Sequence, residues 1–194
     1  MADPLAPIKR PLLALYRATF RFGLPWIRTR GEIPFALNAL GLRGEGAEIG
    51  VQFGHYSAEI LLHWRCRRFF SIDPWLEFDH TVYVDRSNRD QAAQDRFFEE
   101  AMVRLVSFGE RSVVLRVTSA EAAPSFRDGQ LDFVYIDAQH HYEAVSEDLA
   151  LWRPKVRPGG ILAGHDYLDA DTGTERFGVK RAVDELARGE GRGV

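Results

Sequence analysis

Residues 131–167 read LDFVYIDAQHHYEAVSEDLALWRPKVRPGGILAGHDY, and this stretch decides the fold class. Leu131–Ile136 is a short run of apolar and aromatic residues, the kind that fills a buried strand. Tyr142–Trp152 then carries Val145, Leu149 and Trp152 in helical register. Pro158-Gly159-Gly160 turns the chain into a further strand, Ile161–Ala163. Strand, helix and strand make one βαβ unit, which calls for a parallel sheet covered by helices.

Working outward, the same rhythm repeats. Ala47–Val51 reads as a strand, Ser57–Trp64 as a helix and Arg68–Ile72 as a second strand. Residues 75–90 form a long connection rich in Trp, Phe, Tyr and Asp. Residues 91–108 place Phe98, Ala101, Met102 and Leu105 on one helical stripe. Val113–Val117 is a third strand and Glu121–Phe126 a short helix. Val179, Ala182, Val183 and Leu186 mark a last helix. Right-handed crossovers then give an α/β, doubly wound, mostly parallel Rossmann-like sheet. Ahead of it, residues 9–23 and Ile33–Leu42 read as N-terminal helices separated by Pro25. The division is a helical cover segment at 1–43 and one larger domain at 44–194.

At 194 residues the chain suits one domain, and 45% hydrophobic content excludes a disordered or fibrous class. Formal net charge is −3, and no RNA-reading motif is present, so nucleic acid is not expected as a partner. The charge is uneven. Lys9, Arg10, Arg17, Arg21, Arg28 and Arg30 outnumber Asp3 and Glu32 in the first forty residues. That basic segment reads as a solvated cover helix, with contact to an anionic surface as the alternative. Cys66 is the lone cysteine, which rules out an internal disulfide and a CxxC metal knuckle. No run is long and apolar enough for a transmembrane segment, and the expectation is a cytoplasmic protein.

Ligands on such sheets sit at the carboxyl ends of the strands, so those positions carry the chemistry. The first strand end is Glu48-Ile49-Gly50-Val51-Gln52-Phe53-Gly54-His55-Tyr56-Ser57. Gly50 and Gly54 permit a tight turn and close approach of a ligand to backbone, although Gln52 breaks the GxGxxG dinucleotide pattern. The second strand ends at Asp73, a carboxylate able to accept from both hydroxyls of a ribose. The third ends at Thr118-Ser119-Ala120-Glu121, a helix cap or an adenine contact. The fourth and fifth bring Asp137, His140, His165 and Asp166 to adjacent strand ends. Two carboxylates with imidazoles can hold a divalent cation or act as a general base.

The run from Glu48 to Tyr167 resembles the S-adenosylmethionine-dependent class I methyltransferases, in particular the small-molecule group with DGxHxY and PGG…GHDY strand ends. Here those motifs read Asp137-Ala138-Gln139-His140-His141-Tyr142 and Pro158-Gly159-Gly160…Gly164-His165-Asp166-Tyr167. The resemblance implies that Glu48, Gly50, Gly54, Ser57, Asp73, Ser119 and Asp137 bind S-adenosyl-L-methionine. It implies a catalytic set of His140, His165 and Asp166, with one histidine as base, and an acceptor pocket shaped by Trp75, Phe78 and Tyr83. A divalent cation, magnesium in related sugar and antibiotic O-methyltransferases, would fall to Asp137 and Asp166. His165 stands where those enzymes carry a further acid, and imidazole is a poor magnesium ligand. Only Gly189–Val194 follow the last helix, so the antiparallel edge usual in this superfamily is expected to be shortened or missing. The implied function is methylation of a small-molecule acceptor, at a hydroxyl, and a homo-oligomer is compatible with the sequence. Two alternatives stay open: a metal-dependent hydrolase built on the Asp/His cluster, and a methyltransferase-like binding module without turnover.

Overall fold

The computed structural model describes residues 27–173 and 175–189. A turn of 3-10 helix at Arg30–Glu32 leads into α1 (Ile33–Ala39), then β1 (Glu45–Ile49), α2 (His55–His63) and β2 (Arg68–Ile72). After the long connection come α3 (Gln91–Leu105), β3 (Ser112–Leu115), α4 (Ser119–Ala122), β4 (Leu131–Ile136) and α5 (Tyr142–Trp152). The described chain finishes with β5 (Val156–Gly164), β6 (Asp169–Asp171), β7 (Arg176–Gly178) and α6 (Val179–Gly189). The expected helix at 9–23 and the basic segment up to residue 26 lie outside the described residues.

Five strands form one sheet in the order β3-β2-β1-β4-β5, and every pairing in it is parallel. The order reverses between β1 and β4, which is where a doubly wound sheet opens a ligand crevice. Alternation along β4 assigns the two faces. Val134 and Ile136 join α4, α5 and α6 in one core, through Ala122, Val145, Leu149, Trp152, Val179 and Ala182. Phe133 and Tyr135 point the other way, into a core with Leu37 of α1, Ile60 and Leu61 of α2, Trp64 and Leu105. Trp64 and Trp152 are almost fully buried, one on each face. On the Trp64 face, Arg111 ties the end of α2 to β3 by donating to the carbonyls of Leu61, Trp64 and Cys66, and Cys66 is buried beside it.

Two expectations change, and a feature absent from the sequence reading is added. Residues 106–111 are a 3-10 segment, not a continuation of α3, because Gly109 leaves helical geometry at φ 57°. The fifth strand begins at Val156, ahead of the Pro-Gly-Gly turn, which sits inside it as an irregularity between the Leu131↔Val156 and Phe133↔Ile161 pairings. Antiparallel pairing does occur, in a separate two-stranded unit, β6 with β7, placed between β5 and α6. Among the described residues the main sheet has no antiparallel edge strand.

Candidate active site

The carboxyl ends of β1, β2, β3 and β4 open into one cleft of about 410 Å³. Its floor is the turn after β1. Gly50 sits at φ 86°, and a Cβ there would lie 2.1 Å from the carbonyl oxygen of Asp137. Glycine is therefore what lets the ends of β1 and β4 approach. Gln52 takes φ 49°, turning two amides toward the end of β2. Val51 and Gln52 donate to Asp73 Oδ2 at 2.8 and 2.9 Å, and Trp75 N donates to Oδ1 at 2.7 Å. Burial pushes the Asp73 carboxyl upward while the three amides oppose it. Trp75 is itself fully buried, and its indole donates to the Gln52 carbonyl at 2.7 Å. Its expected place in the acceptor pocket is thus corrected: Trp75 braces the β1 turn from behind, while Phe78 and Tyr83 reach the cleft wall.

Glu48 also faces the cleft from β1. Burial pushes its carboxyl up to about 8, against a hydrogen bond from the Ser57 hydroxyl. Ser57 is fully buried between Glu48 and Ser71 and forms no part of the wall. Gly54 is also set back, as the left-handed N-cap of α2, where a Cβ would press on Ala101 and Leu105 of α3. These two residues, expected to touch the cofactor, instead support the groups that line the cleft. Neither role was legible from spacing, because each depends on what α2 and α3 pack against.

At the β3 end, Thr118 caps α4 in a reciprocal arrangement with Glu121. Ser119 donates its hydroxyl to Asp148 of α5 and accepts from the Trp152 indole at 2.8 Å. Asp148 is buried, lines the cleft, and is pushed up to about 6 by that burial.

The opposite end holds the acid–imidazole cluster. His140 Nδ1 lies 3.0 Å from Asp85 Oδ2. His140 Nε2 lies 3.2 Å from Asp166 and 3.7 Å from Asp137, yet it makes no hydrogen bond of acceptable direction and is buried. Burial disfavours the imidazolium, but the facing carboxylates of Asp137, Asp85 and Asp166 outweigh it and raise His140 to about 9. The same pairing pulls Asp85 down to about 2 against its own burial. The ring of Phe177 in β7 backs His140, with centroids 5.2 Å apart, and Gly178 N donates to the His140 carbonyl. Asp166 adopts φ 51°, a strained conformation for a residue with a side chain. His165 is half exposed, 4.0 Å from Asp137, and lines a neighbouring cavity between α5, α6 and β5.

Asp137, His140 and Asp166 can each offer one ligand atom within 4.8 Å of the others. Sequence reasoning missed Asp85, which lies in the aperiodic connection. The signal was present in Asp85-Arg86-Ser87, where the carboxylate accepts from Ser87 N two residues on. It also missed Arg30, whose guanidinium stacks 4.9 Å from the Tyr56 ring centre and lies 3.4 Å from Asp137.

Among the described residues, no helix is long and apolar enough to cross a membrane. Comparison with known proteins gives the family. Residues 47–167 match the methyltransferase domain family. A curated relative from Sinorhizobium fredii (strain NBRC 101917 / NGR234), described as uncharacterized protein y4gI, is 26% identical over 118 residues, 61% of this chain. The chain spans 12% of the length of that relative. The O-methyltransferase from Bacillus cereus, solved in complex with SAH, superposes with a TM-score of 0.60 at 13% identity, covering 97% of this chain and 80% of that one. The cofactor-bound protein Rv0187 from MTB gives 0.56 at 16% identity, covering 99% and 79%. At such identities the superpositions speak for the fold, and the family match speaks for the class. The chain belongs to the methyltransferase domain family, and its Rossmann-like α/β fold is the one that the Bacillus cereus O-methyltransferase shares.

Proposed function

We propose that the protein transfers the methyl group of S-adenosylmethionine to a hydroxyl of a small-molecule acceptor. The observation that carries this reading is the single cleft joining the glycine turn and Asp73 to the Asp137–His140 cluster. A sulfonium is already an activated leaving group, so the protein has to align, desolvate and deprotonate. The O–CH₃ bond forms as the S–CH₃ bond breaks, and the acceptor proton leaves to the cluster. Gly50 and Glu48 border the methionine part of the donor, and Asp73 retains free lone pairs for ribose hydroxyls. His140 is the better-placed proton acceptor, since it lines the cleft and Asp85 fixes its ring through Nδ1; held at about 9 by its carboxylate neighbours, it takes that role in its neutral form, so turnover is expected to climb as pH rises toward 9.

The buried, unbonded Nε2 and its carboxylate-held ring fit a metal ligand as well. Asp137, His140 and Asp166 would hold a divalent cation, which when bound supplies Lewis-acid polarisation of the acceptor oxygen. The nitrogen ligand favours a borderline ion such as iron(II) or zinc over magnesium.

Calorimetric titration of S-adenosylhomocysteine tests the cofactor, with Asp73→Ala as the control expected to lose binding. His140→Ala is expected to lower turnover at least ~100-fold while leaving that affinity within about threefold. His165→Ala is expected to cost less, because His165 lines the neighbouring cavity. Collapse of cofactor affinity in His140→Ala would overturn its assignment as base.

A further inference from the structure

We propose that the cavity between α5, α6 and β5 seats the apolar part of the acceptor, a ring-sized aryl or alkyl group, and turns the acceptor hydroxyl toward the Asp137–His140 cluster. The proposal rests on the methyltransferase reading above. It names the acceptor class as an apolar alcohol or phenol, not a polyol.

The cavity has a volume of about 240 Å³. Its walls are Val145 and Leu149 of α5, Leu162 of β5, and Val179, Val183 and Leu186 of α6. Protein interiors carry few voids larger than a water molecule, and an apolar void of ~150 Å³ is enough to take up benzene. A hollow of this size therefore accepts one ring with a short substituent. Its polar side chains, Asp137, Gln139, His140 and His165, all follow β4 or β5 and so gather at the carboxyl ends of those strands. Apolar walls with a few polar groups to fix orientation are what a small-molecule site consists of. His165 is half exposed, so the opening to solvent lies beside it.

Asp137, Ala138, Gln139 and His140 line the cofactor cleft as well. These four residues are the partition between the two spaces. An apolar group lodged on one side carries its hydroxyl to the cluster that faces the methyl donor on the other. There the acceptor oxygen takes the methyl group as the S–CH₃ bond breaks, and its proton passes to His140. A polyol in the same place would leave hydroxyls unpaired against Val145, Leu149 and Leu162.

The test is binding of 4-propylphenol to the full chain saturated with S-adenosylhomocysteine, followed by calorimetry and methyl NMR. A Kd below about 1 mM is expected. Shifts are expected at Leu149, Leu162 and Val183, and not at Val51 or Leu76, which line the cofactor cleft. Val183→Phe fills the hollow and is expected to weaken the phenol at least ~10-fold while leaving S-adenosylhomocysteine affinity within about twofold. Far-UV circular dichroism verifies folding, and Ala187→Met, a milder filling of the same wall, is expected to weaken it by a smaller factor. Propylbenzene, which lacks the hydroxyl, is expected to bind at least ~3-fold less tightly than the phenol. Absence of phenol binding, shifts at Val51 and Leu76 instead, or undiminished binding in both variants overturns the proposal and leaves the cofactor reading intact. Propylbenzene binding as tightly as the phenol overturns the placement of the hydroxyl at the cluster. A folded wild-type chain that does not bind S-adenosylhomocysteine overturns the cofactor reading, and the acceptor assignment with it.

Discussion

At Gly50 one added methyl group is enough to push neighbouring strands apart. Its positive φ and the 2.1 Å approach to the Asp137 carbonyl leave no room for a side chain. Gly50→Ala is expected to cost roughly 2–4 kcal/mol in urea unfolding, from strain and forced separation together. Glu48 makes a second prediction. Its carboxyl sits at about 8 in the folded chain against roughly 4.3 unfolded. A raised carboxyl binds its proton more tightly when folded, so its contribution to stability is complete below pH ~4, declines as pH rises, and is gone above about 8. Denaturation of the wild type at pH 5 and pH 9 is expected to differ by a few kcal/mol more than in Glu48→Gln. Equal differences in the two proteins would show that Ser57 and its surroundings relieve the burial.

Among the elements, the connection at 75–90 is drawn together across its own length by the buried side chain of Asn88. Asn88 accepts from Phe78 N and donates to the carbonyls of Phe78 and Tyr83. Asn88→Ala leaves these groups unpaired and is expected to cost about 1–3 kcal/mol. Hydrogen exchange is expected to quicken across residues 77–88 and not in β1 or β4. If protection fell evenly, the connection would belong to the global unfolding unit. Because this connection carries Asp85, the same variant should also loosen His140. Legibility divides along these lines. β2, β4 and α5 could be read to the residue, since apolar runs and helical stripes report burial directly. Asp73, Asp137, His140 and Asp166 could be placed because they follow strands. Asp85, Trp75 and Ser57 could not, since their partners are set by tertiary approach and leave no period in the sequence. The β6–β7 pair was hidden because its residues, Asp169–Asp171 and Arg176–Gly178, lack the alternation of a strand buried on one side.

Over the whole molecule, one sheet separates two cores, and β4 contributes to both. Neither face can lose its helices without exposing apolar side chains of the same strand pair. Unfolding is therefore expected to be a single transition, with tryptophan fluorescence from Trp64 and Trp152 and far-UV circular dichroism giving the same midpoint. Separate midpoints would mean that the two layers open independently. The buried Cys66 turns this expectation into a kinetic measurement. Its burial also raises the thiol's pKa, so thiolate is scarce as well as shielded. Ellman's reagent should reach the sulfur only when the Trp64 face comes away from the sheet. Under native conditions the pace of colour development then counts openings of that face, and adding S-adenosylhomocysteine should slow the count in proportion to how firmly the cleft at the strands' carboxyl ends is closed by its ligand.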